Sequence, residues 1–340
     1  MKYFIKITVT LLLAYLASIV YFWSVRPIER WPALDIITRD TLSKGMSEIK
    51  KHKVVIAGIV RDGIFELPAM QKYVEYTGNF FEDYRVVIFE NDSKDGTKWF
   101  LSRWAKNNDK IKIISHDKNN IKKRPSISFL VTARNYYLDE IQTNPEYKDF
   151  DMMMVVDMDM KHGWDMRGVF DSFSKIQQWD SVCSNGIFTP NGRMYDLFAF
   201  YNKDFPYHAP TTPDYWTTKV HEGQKLVYHP GTDLVKAETC FGGMAFYKRE
   251  FMHNCHYESI TGDCDNVGFN NCLAKNGAKI MMNPSQIIRY REGNWEISHE
   301  PGSQKTTWYK IVKKIYTTRD FLYAVLDILF DPKIVDSHGS

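Results

Sequence analysis

The stretch Asp151-Met-Met-Met-Val-Val-Asp157-Met-Asp159 sets two carboxylates two residues apart at the end of an apolar run. The run predicts a buried strand. On an extended tip alternate side chains share a face, so Asp157 and Asp159 project together and Met158 opposite. Paired hard oxygen ligands at the carboxyl end of a core strand suit Mn²⁺ or Mg²⁺ carrying a diphosphate, and open α/β sheets bind ligands at that edge. Taken alone, the pair also reads as a solvated acidic turn, so the rest of the chain must supply a nucleotide site.

A second cluster does so. Val86-Val-Ile-Phe-Glu-Asn-Asp-Ser-Lys-Asp-Gly-Thr97 is a strand that delivers a group of acceptors and then turns into a helix through Gly96 and Thr97. Such a tip can hold the base and ribose of a nucleotide through Asp92 and its neighbours Glu90 and Ser93. The same residues would also satisfy an Asx or Ser turn capping a helix. Around these tips the hydrophobic pattern predicts strands at 53–60, 84–89 and 111–114, with helices over 67–77, behind Trp99, Phe100, Trp104 and Ala105, and along Ile127, Leu130, Ala133, Tyr137 and Ile141. Strand alternating with helix is an α/β unit with a mostly parallel sheet flanked by helices. The second half is less regular. Residues 186–235 form a loop region rich in Pro, Gly, Tyr and His. A strand enters through Gly242 and Gly243 and ends at Tyr247. A helix spans Val267 to Asn276, and Lys279 to Met282 closes the sheet.

The 340 residues suffice for a sizeable core, and a net charge of +3 gives no footprint for nucleic acid. Five cysteines without CxxC spacing argue against a zinc site and a full disulfide framework, leaving room for one or two bridges. From Ile7 to Val25 nothing is charged, while Lys2, Lys6, Arg26 and Arg30 flank the run. That length suits a membrane span better than a cleaved leader. The expected organisation is a signal anchor over 1–25, a stem over 26–50, a catalytic domain over 51–305, and a carboxyl-terminal amphipathic helix and tail over 306–340 carrying Phe321, Leu322, Val325, Ile328 and Leu329. Single-pass membrane attachment with a luminal catalytic part, in Golgi or endoplasmic reticulum for a eukaryotic chain, is the corresponding expectation.

Asp92-Ser-Lys-Asp-Gly-Thr97, Ala133-Arg-Asn135 and Asp157-Met-Asp159 occur in the order that resembles GT-A nucleotide-sugar glycosyltransferases, over roughly residues 53–290. Tyr195-Asp-Leu-Phe-Ala-Phe200, Val235 to Phe246 and Asp263-Cys-Asp-Asn-Val267 resemble the fungal capsule-associated mannosyltransferases. The stretch from Ala133 to Asp159 is also similar to the yeast mannan polymerase family. The resemblance implies a Rossmann-like GT-A fold and a transferase that moves a sugar, mannose favoured, from GDP-mannose or a UDP-sugar to a glycan or glycoprotein. Asp157 and Asp159 would hold Mn²⁺ (or Mg²⁺), with His299 as a third ligand, and Asp157 would thereby also touch the donor. Arg134 would reach donor phosphates or make a structural ion pair. Gly242 and Gly243 would let backbone approach the donor sugar. Asp263 and Asp265 stand where inverting members carry the acceptor's base; in a retaining enzyme they would bind sugar hydroxyls instead, and the chain has Asp263-Cys-Asp-Asn266 in place of acidic-Cys-Glu-His.

Trp164, Trp216 and Trp295 are candidates for stacking on an acceptor sugar, and Lys122-Lys-Arg124 for phosphate contact or a solvated basic face. Two other functions fit less well. A sugar-phosphate nucleotidyltransferase would need a glycine-rich phosphate loop after the first strand, which Ala57 to Gly63 lacks. A noncatalytic glycan-binding or assembly subunit would not need both carboxylates.

Overall fold

A computed structural model describes residues 36–117, 126–160, 163–189, 194–206, 226–259 and 264–291, with Thr10, Tyr15, Leu34 and Gly223 besides. The chain divides into two compact units, residues 32–291 and the two ends 1–31 with 292–340. Nearly all described residues belong to the first. The run from Ile7 to Val25, the stripe at 321–329, Lys122–Arg124, Trp216, Trp295, Asp263 and His299 lie outside the described residues. Among the described residues no helix is long and apolar enough to cross a membrane.

Eight strands form one sheet: β1 (Lys53–Val60), β2 (Asp83–Glu90), β3 (Ile111–Ser115), β4 (Met152–Val156), β5 (Ser181–Thr189), β6 (Val235–Lys236), β7 (Met244–Lys248) and β8 (Ile280–Arg291). Their order across the sheet is β3-β2-β1-β4-β7-β5-β8-β6. The sheet is mixed. β1, β2, β3 and β4 run parallel, as does the pair β5–β8, whereas β7 opposes both β4 and β5, and β6 opposes β8. The mostly parallel expectation holds throughout the first half and, in the second, for the β5–β8 pair. In the first half each strand returns through a crossover helix, which parallel neighbours require.

Helices α1 (Arg39–Ile49), α2 (Leu67–Gly78), α3 (Thr97–Asn107), α4 (Ile127–Thr143), α5 (Met166–Ser174) and α6 (Asp265–Lys275) cover the sheet. Strand alternation assigns each face its own core. Val54, Ile56, Met152, Met154 and Val156 pack with α1, α2, α3 and α5. Val55, Ala57, Met153 and Val155 pack with α4 and α6 on the other side. The result is three layers, helices on sheet on helices.

The segment Arg39–Ile49, expected within a polar stem, is a helix of the body. Thr38 caps it by accepting the Thr41 N–H at 3.2 Å, and Ile49 is buried in the core. A Cβ on Gly45 would stand 1.9 Å from the carbonyl oxygen of Phe170 in α5. Only Gly45 and Ile49 of α1 are buried, a stripe too narrow to show as hydrophobic periodicity.

Candidate active site

The carboxyl ends of β1, β2 and β4 share one edge of the sheet. Because β7 runs the other way, its entering turn at Gly242 and Gly243 arrives at the same edge, with Met244 beside Val156. The seam between β4 and β7 therefore gathers residues from distant parts of the chain.

Asp157 follows β4 directly. Its backbone N–H donates to the Gly243 carbonyl at 2.9 Å. Its Oδ1 accepts from Arg134 Nη2 at 3.2 Å, and its Oδ2 from the Tyr195 hydroxyl at 3.3 Å. Arg134, on α4, is buried and also donates its Nε to Asp265 Oδ2 at the start of α6. One guanidinium thus bridges the carboxylate after β4 and the carboxylate opening α6, with the Phe241 and Tyr257 rings against its plane at 5.0 and 5.7 Å. Asp159 is exposed.

Burial pushes the Asp157 carboxyl up to about 6; the neighbouring Arg134 cation opposes this and the Asp159 charge reinforces it. Asp159 keeps an exposed surface, yet the protein around it strips enough water to raise its carboxyl as well, and the Glu66 charge adds to the rise. Asp157 and Asp159 are the residues here that could hold a divalent ion. Among the described residues no cluster of three or more His, Cys, Asp and Glu side chains is placed to hold a metal, so diphosphate oxygens and water would have to complete its shell.

At the tip of β2 the expected nucleotide contacts divide. Glu90 is fully buried and committed inward, accepting from the Ser93 N–H at 2.9 Å and from the Ser115 hydroxyl at 2.6 Å. Ser93 Oγ accepts from the Asp62 N–H at 3.0 Å, and Asp95 accepts from the N–H groups of Thr97 and Ile64, each at 3.0 Å. These bonds tie the β1 and β2 loops together and seat the start of α3. Asp92 differs, half-buried and left-handed at φ 49°. A non-glycine residue there carries backbone strain, of the sort that clusters at ligand sites.

Gly242 and Gly243 have φ of 65° and 85°. A Cβ on Gly242 would lie 1.9 Å from the Ser184 carbonyl oxygen, and one on Gly243 3.2 Å from the Tyr195 hydroxyl. These glycines admit the protein's own backbone and Tyr195, so their presence needs no donor sugar to explain it. Trp164 is buried, donating its indole N–H to Thr77 Oγ1 at 2.9 Å, and is a core residue rather than a stacking surface for an acceptor.

Three contributors lay outside the sequence-based candidates. Asn135 holds both the N–H and the carbonyl of Tyr257, at 2.8 and 2.9 Å, so Ala133-Arg-Asn135 is a buried alanine, a carboxylate bridge and a loop clamp in succession. Tyr195 stacks on Tyr290 with centroids 4.7 Å apart. Asp196 Oδ2 accepts the Gly242 N–H at 2.8 Å, and burial, aided by the Asp157 charge, pushes its carboxyl up to about 7. The quoted stretch from Tyr195 to Phe200 was the signal that could have found both.

No protein-family model matches the chain, and no curated protein matches it. Among solved structures it is similar to the mannosyltransferase PcManGT from Pyrobaculum calidifontis in complex with GDP-Man and Mn²⁺, at 12% identity and TM-score 0.40 over 94% of this chain and 75% of that one. It is also similar to S. aureus TarS 1-349 in complex with UDP-GlcNAc, at 11% identity and TM-score 0.41 over 78% of this chain and 66% of that one. GalNAc-T7 with UDP, GalNAc and Mn²⁺ matches at 13% identity and TM-score 0.42, over 83% of this chain and 57% of that one. At these scores the similarity assigns neither activity nor ligand to this chain.

Proposed function

We propose that the chain is a divalent-metal-dependent glycosyltransferase that moves one sugar from a nucleoside diphosphate donor to a hydroxyl of a glycan or glycoprotein. One observation carries the reading: Asp157 and Asp159 follow β4 at the carboxyl edge of the sheet, the same edge that carries the left-handed tip of β2, with β1 between the two. The motif resemblance favours mannose, and GDP-mannose over a UDP-sugar. An ion held by Asp157 and Asp159 would supply Lewis-acid stabilisation of the departing diphosphate. Arg134, buried between two carboxylates, fixes the orientation of Asp157 and is not free to clamp phosphate. Asp92 is the residue at the β2 tip best placed to take a ribose or base contact. Attachment by the uncharged run at 7–25 and luminal placement go with the two disulfides, Cys183–Cys240 and Cys255–Cys272, which suit an oxidising compartment.

The second reading, a noncatalytic glycan-binding module, draws on a specific fact: Asp157 is already engaged by Arg134 and Tyr195. Thermal unfolding of the full chain with GDP or UDP, each with and without Mn²⁺, separates the two. A ligand that binds only the native state raises the midpoint by mass action. A Mn²⁺-dependent rise with one nucleotide, lost in both Asp157→Ala and Asp159→Ala, is the expected result. No rise with either nucleotide at millimolar concentration would sink the transferase reading and favour the module.

A further inference from the structure

Asp157 is held on three sides. Its backbone N–H donates to the Gly243 carbonyl, Arg134 donates to Oδ1, and the Tyr195 hydroxyl donates to Oδ2 at 3.3 Å. A carboxylate offers about four lone-pair sites. Arg134 and Tyr195 occupy one on each oxygen, which fixes the plane of the group without closing either oxygen to a metal ion. Tyr195 reaches this position from the irregular segment after β5, 38 residues beyond Asp157. Two glycines make room for it: a Cβ on Gly186 would stand 2.6 Å from the Tyr195 ring, and one on Gly243 3.2 Å from its hydroxyl. The Tyr195 N–H donates to the Gly186 carbonyl at 3.0 Å. Its ring lies parallel to that of Tyr290 near the end of β8, with centroids 4.7 Å apart and planes 5° apart. So confined, the ring presents its hydroxyl to Asp157 Oδ2 in one orientation.

We propose that Tyr195 is a positioning residue for the metal ion: its hydroxyl sets the orientation in which Asp157 offers its remaining lone pairs to Mn²⁺ or Mg²⁺. The inference rests on the transferase reading. Groups that hydrogen-bond a metal-ligating carboxylate fix its geometry, and losing one typically weakens metal binding roughly 10–100-fold. Arg134 also orients Asp157, but it carries the charge that compensates Asp157 and Asp265 together, so its removal disturbs the whole seam. Tyr195 touches Asp157 as a neutral donor. Deleting its hydroxyl therefore isolates orientation from charge. A tyrosine that only satisfied a buried carboxylate would matter to folding and leave the metal unaffected.

Electron paramagnetic resonance of free Mn²⁺, titrated onto the full chain in detergent with GDP or UDP present, reads metal binding directly and needs no turnover. Phenylalanine at 195 keeps the ring, the stack on Tyr290 and the fit between the glycines. Tyr195→Phe should therefore melt cooperatively and bind Mn²⁺ roughly 10–100-fold more weakly than wild type. Tyr290→Leu leaves the hydroxyl and removes the stack. It should weaken Mn²⁺ binding in the same direction, and add much less in the Tyr195→Phe background than it does alone, as contacts acting through one group do. If Tyr195→Phe binds Mn²⁺ as tightly as wild type while Asp157→Ala loses the ion, the assignment is overturned and the transferase reading stands. An undiminished effect of Tyr290→Leu in the Tyr195→Phe background would also overturn it, since the stack would then act on the metal by another path. A wild type that takes up no more Mn²⁺ than Asp157→Ala and Asp159→Ala removes the transferase reading, and the assignment with it.

Discussion

Arg134 is the residue on which the electrostatics of the seam turn. Removing one partner of a buried ion pair costs about 3–5 kcal/mol because the other charge is left uncompensated, and here two carboxylates would be orphaned. Arg134→Met should therefore lower stability by about that amount at pH 7.5 and by clearly less at pH 5.5. The sign follows from linkage. Asp157, raised to about 6, and Asp196, raised to about 7, bind protons in the folded chain that they have already lost in the unfolded one between roughly pH 4 and pH 7. Stability is highest at the acid end of that window and is lost as pH rises through the folded values. Asp83, Asp151 and Glu140 are shifted down, so their opposite contribution falls below the window. In metal-free buffer the wild-type melting midpoint should fall from pH 5.5 to pH 7.5, and Arg134→Met should steepen the fall. Equal slopes in the two proteins would show that Arg134 is not the compensating charge.

Among the elements, α1 separates an integral helix from a tether. If Arg39–Ile49 were stem, Gly45 would tolerate any side chain. In the structure a Cβ there collides with the backbone of α5. Gly45→Val should cost about 1–3 kcal/mol, read as a lower midpoint in urea unfolding with an unchanged slope, and an unaltered midpoint would return the segment to the stem. The elements legible in the sequence were those with plain patterns: β1, β2, β3, β4 and β7 as apolar runs, and α2, α3, α4 and α6 as helical stretches. The parts that were hidden bury polar groups. β5 carries Ser181, Ser184 and Asn185 inside the sheet, and β8, beyond its legible start at 280–282, carries Asn283, Ser285 and Gln286. Several are satisfied across elements: Gln286 Nε2 donates to Ser184 Oγ at 2.9 Å and Asn283 Nδ2 to Ser172 Oγ of α5 at 2.8 Å, whereas Ser181 Oγ and Asn185 Oδ1 have no partner among the described residues. A composition scan prices such residues as loop, and only tertiary partners make them core. The candidate site divides the same way. The Asp157/Asp159 tip shows in one short stretch of chain. The bridge through Arg134, the clamp of Asn135 and the position of Asp196 depend on contacts between segments far apart in sequence.

At the scale of the whole molecule, the disulfides bear on where the chain works. Cys183–Cys240 joins β5 to the segment before the glycine turn, closing a loop with a sequence separation of 57. Cys255–Cys272 ties α6 to the loop before it, with a separation of 17. Cys264 alone is left as a thiol, and it is buried. Bridges of this kind persist in oxidising compartments and are rare in reducing cytosol, an environment that the proposed export behind the uncharged run at 7–25 would supply. Three measurements on membranes carrying the full chain test this together. Denatured without reductant, the chain should take up one alkyl group, at Cys264, and after reduction five, one per cysteine. Carbonate washing should leave it in the membrane pellet. Protease added to sealed vesicles should spare the body until detergent opens them. Five alkyl groups without reductant would place the body in a reducing compartment, and release by carbonate would remove the anchor. Digestion without detergent would put the sheet edge that carries Asp157 and Asp159 on the cytosolic side, facing a different pool of acceptors.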